Sequence, residues 1–256
     1  MPFFSLIGAI ILGLAMGYIV NFLADILPAM YDLNKSKKNS FSLKCPHCNS
    51  PIQLTDYLGF RPCRQCSGRQ GYRKWAVILL YPMMFVMLLI FPQDRFEFWQ
   101  LGLLLTYFGI VVLMDLEHHI ILEVVSLGGV FLTIPLGWKL HGFASTLWGG
   151  LAGFGVMLTL YYLGVVFAKI VSKGRERPLE EEALGVGDIR LGGVIGLLLG
   201  WPGITLGLLF AILTGGLVSL VLLLLSLARR KYQSFMAIPY APFLVFGALL
   251  LLFWPG

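Results

Sequence analysis

Apolar side chains form eight long runs along the chain, and most charged residues lie between these runs. The runs are close to the ~17–25 residues that a helix needs to cross the hydrocarbon core of a bilayer. They cover approximately residues 4–28, 75–92, 98–114, 120–138, 143–168, 184–200, 204–228 and 239–255. The pattern therefore predicts an all-α fold, a polytopic membrane bundle of about eight transmembrane helices.

The longest polar connection follows the first apolar run and divides the chain. We predict a first transmembrane helix in 1–30, a small insert in 31–74 and the main transmembrane domain in 75–256. The first run has no preceding Lys or Arg and no convincing small-residue cleavage site. We therefore interpret it as a retained membrane helix and not as a secretory signal.

The composition supports a membrane protein. Hydrophobic residues make up 58% of the 256 residues and charged residues only 12%, whereas soluble domains have about 25% charged residues. A soluble globular domain is excluded on this ground. The lipid bilayer is the first predicted partner.

The formal net charge of +6 is distributed unevenly between the two sides of the predicted bundle. Seventeen of the nineteen Lys and Arg residues fall on the side of the connection 31–74, and only Arg95 and Lys139 fall on the other. By the positive-inside rule, the insert lies in the cytoplasm and both termini lie outside. Because the basic charge is explained as an orientation signal, we predict no nucleic-acid partner.

All four cysteines lie in the segment "CPHCNSPIQLTDYLGFRPCRQC", as two C-x2-C pairs separated by fourteen residues. They are Cys45, Cys48, Cys63 and Cys66. Disulfides seldom persist in the cytoplasm, and two such pairs are typical of a tetrahedral thiolate zinc site. Four thiolates complete the coordination shell, so we predict a structural Zn²⁺ around which the small insert folds. Unrelated reduced thiols and a redox role are the alternatives.

Two carboxylates occur at the predicted cytoplasmic ends of apolar runs. Asp115 follows one run in "VVLMDLEHHIILEVV", and Asp188 begins another in "ALGVGDIRLGG". An ionisable residue at such a position is costly and indicates function. We expect Gly185 and Gly187 to let the backbone loosen beside Asp188, so that an extended substrate can approach.

Two nearby carboxylates cannot both ionise easily, so they share a proton. One can act as a base on water while the protonated one polarises a peptide carbonyl, which is the chemistry of an aspartyl protease. Glu117 and Glu123 flank Asp115, and we expect both to tolerate Gln. The structural alternative is that each aspartate caps a helix or pairs with a base such as Arg190.

Two other classes of protein remain possible. A non-catalytic zinc-binding assembly factor of a pilus or secretion system would use the insert for docking and the carboxylates as caps. An ion or proton transporter would use the two aspartates as a relay. A relay needs polar residues through the membrane midplane, whereas these residues lie in one layer, so the sequence disfavours the transporter.

Four segments carry a resemblance to a known family. "EEALGVGDIRLGGVIGLLLG" resembles the GxGD segment of the type IV prepilin peptidases, and "DLEHHIILE" is similar to their first catalytic segment. The cysteine pairs and "IPYAPFLVFGALL" match in kind and order. The resemblance implies a multi-pass protein of the inner membrane, with Asp115 and Asp188 as the catalytic pair on the cytoplasmic side.

The same resemblance implies the substrate and a second activity. The family cuts the basic leader from pilin-like precursors after a glycine, and then methylates the new N-terminus with S-adenosylmethionine. Pilin-like precursor proteins are therefore the expected partners, and S-adenosylmethionine the expected second cofactor.

Two further features carry smaller predictions. Gly192, Gly196 and Gly200 form overlapping GxxxG steps, which favour close helix packing within the bundle over homodimerisation. Glu180–Glu182 precede the GxGD segment, and we expect them to attract the basic residues of a leader.

Overall fold

The structure is a computed structural model. It describes residues 3–36, 43–45, 48, 50–58, 61–68, 71–172, 185–228 and 239–253. Within these ranges the elements are α1 (Phe3–Ser36), β1 (Leu43–Lys44), β2 (Pro51–Ile52), α2 (Leu54–Leu58), α3 (Tyr72–Ile90), α4 (Phe98–His118), α5 (Glu123–His141), α6 (Phe143–Ser172), α7 (Val186–Leu199), α8 (Gly203–Ala228) and α9 (Ala241–Phe253). The two strands form one short antiparallel hairpin.

The predicted all-α fold class is confirmed, because each of the eight apolar runs corresponds to a helix. Six helices of the described residues, α1, α3, α4, α5, α6 and α8, are long and apolar enough to cross a membrane. The other two are shorter: α7 has 14 residues and α9 has 13. At about 1.5 Å per residue, these two fall short of a hydrocarbon core of about 30 Å. The chain is a multi-pass membrane protein with two shortened helices.

Helix α1 continues beyond the end of its apolar run. The run ends at Pro28, but the helix includes this proline and extends to Ser36. Bilayer thickness limits the apolar run and not the helix, which can continue into polar residues. Prolines are tolerated inside membrane helices because neighbouring groups satisfy the freed carbonyls.

The chain divides into two compact units, Met1–Met114 and Asp115–Gly256. In the first unit α1 packs on α3. A Cβ atom on Gly13 would lie 2.6 Å from the Cα of Pro82, and one on Gly17 would lie 3.3 Å from the Cα of Ile78. Glycines at these two positions therefore allow the backbones of α1 and α3 to approach closely.

In the second unit α7 packs on α6 through glycines on both helices. A Cβ atom on Gly153 would collide with the carbonyl oxygen of Gly192, and one on Gly149 with that of Gly196. A Cβ atom on Gly200 would lie 2.6 Å from the ring of His141, at the end of α5. The prediction that Gly192, Gly196 and Gly200 allow close packing of helices within the bundle is confirmed.

Candidate active site and candidate metal centre

The four cysteines come together in the first unit, as their spacing predicts. All four Sγ atoms lie within 4.8 Å of one another. The Sγ atoms of Cys45 and Cys66 are 3.7 Å apart, and those of Cys48 and Cys63 are 3.6 Å apart. A tetrahedral ion with Zn–S bonds of about 2.3 Å requires sulfurs about 3.8 Å apart. The donor set therefore fits a single zinc ion.

The ionisation of the thiols also suits a cation. The hydroxyl of Ser50 and nearby backbone N–H groups lower the pKa of Cys63 to about 6. At Cys66 the N–H of Gly68 lowers the pKa, but the neighbouring sulfurs, Cys48 first among them, together with burial raise it to about 12. The cluster therefore lowers the pKa of one thiol and, through the crowding of the sulfurs, raises that of another. A bound cation would relieve that crowding.

A polar network attaches this insert to helices α1 and α3. The hydroxyl of Tyr57, on α2, donates to the carboxylate of Asp25 and to the carbonyl of Asn21, 3.1 Å away. Asp25 also pairs with Arg73 at 2.7 Å and with Lys74 at 3.1 Å. The sequence does not predict this network, but it carries a signal of it, because Asp25 is a carboxylate inside an apolar run.

The two predicted aspartates lie together in the second unit. Asp115 is near the C-terminal end of α4 and Asp188 is in the first turn of α7, and they are 5% and 7% exposed. The two carboxylates interact electrostatically. Oδ2 of Asp115 accepts the N–H of Ala241 at 2.9 Å, and Oδ2 of Asp188 accepts the N–H of Gly185 at 3.1 Å.

Each aspartate therefore caps the start of a helix, as the structural alternative expects, but capping uses only one oxygen of each. Oδ1 of Asp188 is buried and has no hydrogen-bond partner among the described residues. A buried acceptor without a partner is costly and calls for an explanation. This oxygen is free to bind a water or a substrate group. The suggested pairing with Arg190 is not the one observed, because Arg190 pairs with Glu123.

The GxGD glycines have different roles from those expected. Helix α7 begins at Val186, so Gly187 is helical and does not loosen the backbone. A Cβ atom on Gly187 would lie 2.7 Å from the Cβ of Ile121, in the connection between α4 and α5. The segment that approaches Gly187 closely is therefore Ile121 of the same chain and not a substrate. At Gly185 a Cβ atom would meet only ordinary contacts, the nearest at 3.6 Å.

The glutamates expected to attract a leader, Glu180–Glu182, lie outside the described residues. That expectation remains a prediction from the sequence.

These features define a multi-pass membrane protein with a buried pair of carboxylates and a four-cysteine cluster that could hold a metal. The model of the type IV leader peptidase family matches residues 102–220, a range that contains both aspartates. No solved structure matches the chain at a significant level.

Two curated relatives match nearly the whole chain, and a third matches two thirds of it. It is 24% identical to a prepilin leader peptidase/N-methyltransferase of Stutzerimonas stutzeri, over 99% of this chain and 92% of the relative. It is 25% identical to the protein of the same name from Pseudomonas aeruginosa, over 99% and 91%. A type 4 prepilin-like proteins leader peptide-processing enzyme of Escherichia coli is 26% identical over 66% of each chain. Over residues 102–220 the chain is thus similar to the type IV leader peptidase family, and over nearly its whole length it is similar to two enzymes named prepilin leader peptidase/N-methyltransferase.

Proposed function

We propose that the protein is a membrane aspartyl endopeptidase that removes the basic leader from type IV pilin-like precursors at the cytoplasmic face of the inner membrane. The observation that carries the proposal is the buried pair Asp115 and Asp188, contributed by two helices. One oxygen of Asp188 has no hydrogen-bond partner in the part of the chain that the structure describes. The names of the curated relatives support prepilins as substrates.

The pair supplies both functions that peptide hydrolysis needs. The ionised carboxylate takes a proton from water as the water oxygen bonds to the scissile carbonyl carbon. The protonated carboxyl donates a hydrogen bond to the carbonyl oxygen, where negative charge develops. The C–N bond of the tetrahedral intermediate then breaks, and the leaving amine takes up a proton. The two carboxyls finish the cycle with one proton between them.

Backbone groups hold this pair in place. The N–H groups of Gly185 and Ala241 each occupy one carboxylate oxygen. Each side chain is thus held in orientation through one oxygen, which leaves its other oxygen for the reaction. Preorganised groups of this kind need no rearrangement as the reaction proceeds.

A second step, N-methylation of the new N-terminus, is part of the proposal because the relatives are named as N-methyltransferases. S-adenosylmethionine would supply the methyl group when bound. The four cysteines would hold a structural zinc that orders the insert and takes no part in the cleavage.

The cytoplasmic location is supported by the charge distribution of the sequence, with seventeen of nineteen basic residues on the side of the insert. In that orientation Asp115, at the end of α4, and Asp188, at the start of α7, both lie at the inner side.

The test is mass spectrometry of a purified pilin-like precursor after incubation with the enzyme, with and without S-adenosylmethionine. We expect a product shortened by its leader in both samples, and one added methyl group only with the donor. Leader loss without any added methyl would leave the peptidase and remove the second activity. An intact precursor in both samples would contradict the whole proposal.

The second candidate is the non-catalytic assembly factor, and one observation favours it, namely that both aspartates cap helices. It requires an intact precursor in the same experiment and retained binding of that precursor. Processing by the wild-type protein would exclude it.

A further inference from the structure

An ion pair connects the two segments that carry the aspartates. Arg190 lies two residues after Asp188 on α7, and its guanidinium donates to the carboxylate of Glu123, the first residue of α5. Glu123 lies eight residues after Asp115 in the sequence. The ion pair therefore joins the N-terminal part of α7 to the first residue of α5, which follows the connection from α4.

A steric contact joins the same two segments on the other side of Asp188. Ile121 packs where a Cβ atom of Gly187 would be, and Ile121 itself is buried. The apolar contact before Asp188 and the ion pair after it together hold the N-terminal part of α7 against the α4–α5 connection and the start of α5. Helices α5 and α7 also pack against each other along their length.

The solvent exposure of Arg190 and Glu123 indicates how much their ion pair contributes to stability. The side chain of Glu123 is 72% exposed and that of Arg190 is 34% exposed. Exposed ion pairs add little to the free energy of folding. The catalytic rate is more sensitive to the position of the aspartates, because a displacement of about 1 Å in a catalytic group can lower the rate about 10²-fold. The expected effect of the pair is therefore on catalysis and not on stability.

We propose that Arg190 and Glu123 are positioning residues whose ion pair sets the separation of Asp115 and Asp188. The inference rests on the proposed function. It gives Glu123 a role different from that of Glu117, although the sequence alone treats the two glutamates alike.

The test measures kcat and KM of leader cleavage, across pH, for Arg190→Gln, Glu123→Gln and the exchanged pair Arg190→Glu with Glu123→Arg. The control is Glu117→Gln, which removes an exposed carboxylate two residues after Asp115. We expect each single Gln variant to lower kcat by about tenfold or more, with KM and the unfolding temperature unchanged. The exchanged pair should recover most of the loss, and the control should match the wild type.

The pH dependence separates positioning from a simple field effect. Removing a cation and removing an anion near the aspartates would shift the pH–rate curve in opposite directions if the charges acted through their field. If the ion pair acts by positioning, both variants should have a lower kcat, and the apparent pKa values of the pH–rate curve should stay the same. Arg190→Lys is a second test, since it keeps the charge but loses the planar fork and should fall between wild type and Arg190→Gln.

Wild-type kcat in either Gln variant would overturn the inference, and so would opposite shifts of the two pH–rate curves. The inference would also fail if the exchanged pair had a kcat no higher than the single variants while it still unfolded at the wild-type temperature. An inactive wild type would instead reject the proposed function.

Discussion

Replacing Gly187 with Ala tests how closely the two aspartates must be held. The added Cβ atom would lie 2.7 Å from the Cβ and 3.2 Å from the backbone N of Ile121. Carbon atoms at optimal separation are about 3.5–4.0 Å apart, so the first turn of α7 and the α4–α5 connection must move apart by about 1 Å. Asp188 follows Gly187 and the connection follows Asp115, so the two aspartates are displaced relative to each other.

Two magnitudes follow from that displacement. Overpacking of a tight contact costs about 1–3 kcal/mol of folding free energy, partly offset by the helix propensity of Ala over Gly, about 1 kcal/mol. A 1 Å displacement of a catalytic group costs about 10²-fold in rate, equivalent to about 2.7 kcal/mol of activation free energy. We therefore expect a small loss of stability and a large loss of kcat.

The assay is leader cleavage by the detergent-solubilised protein, with thermal unfolding measured on the same sample. The matched control is Gly185→Ala, whose Cβ atom would lie 3.6 Å from its nearest neighbour at an extended φ of −82°. We expect the control to retain kcat within a few-fold. Equal activity of the Gly187 variant and the control would refute the view that Ile121 fixes the position of Asp188.

Three further predictions concern the metal, the network at Tyr57 and the helix packing. Cys45→Ser should lose the roughly one zinc per chain expected of the purified protein; metal analysis showing full occupancy would contradict the four-thiolate site. Tyr57→Phe should destabilise the first unit by about 1.5–3 kcal/mol, because it removes a hydrogen bond to the charged Asp25; an unchanged unfolding temperature would contradict this. Gly153→Ala should destabilise the α6–α7 contact, whereas Gly155→Ala, where a Cβ atom meets no neighbour within 4 Å, should not; equal unfolding temperatures would contradict that packing.

Much of the fold could be predicted because the bilayer imposes a simple pattern. Apolar runs of membrane length correspond to α1, α3, α4, α5, α6 and α8 almost directly. The cysteine cluster was also predictable, since ligand spacing is local in the sequence. The short lengths of α7 and α9 could not be predicted from the sequence, because each of these helices is shorter than the apolar run that contains it.

The contacts that organise the candidate site were harder to predict. The sequence indicated Asp115 and Asp188 through their depth and residue type. The sequence alone does not predict that Ile121 fills the space at Gly187 or that Arg190 forms an ion pair with Glu123. Both contacts depend on how separate helices pack. The contacts of Asp25 also depend on tertiary packing, because its partners Tyr57 and Arg73 lie more than thirty residues away in the sequence.

The most direct test of the central claim is the cleavage rate of a pilin-like precursor by Asp115→Asn, by Asp188→Asn and by the double variant. If the two carboxylates act as a unit, each single variant falls to the background rate, and the double variant is no worse than either. Zinc content and unfolding temperature should stay close to those of the wild type in all three variants. Robust cleavage by either single variant would contradict the aspartyl mechanism.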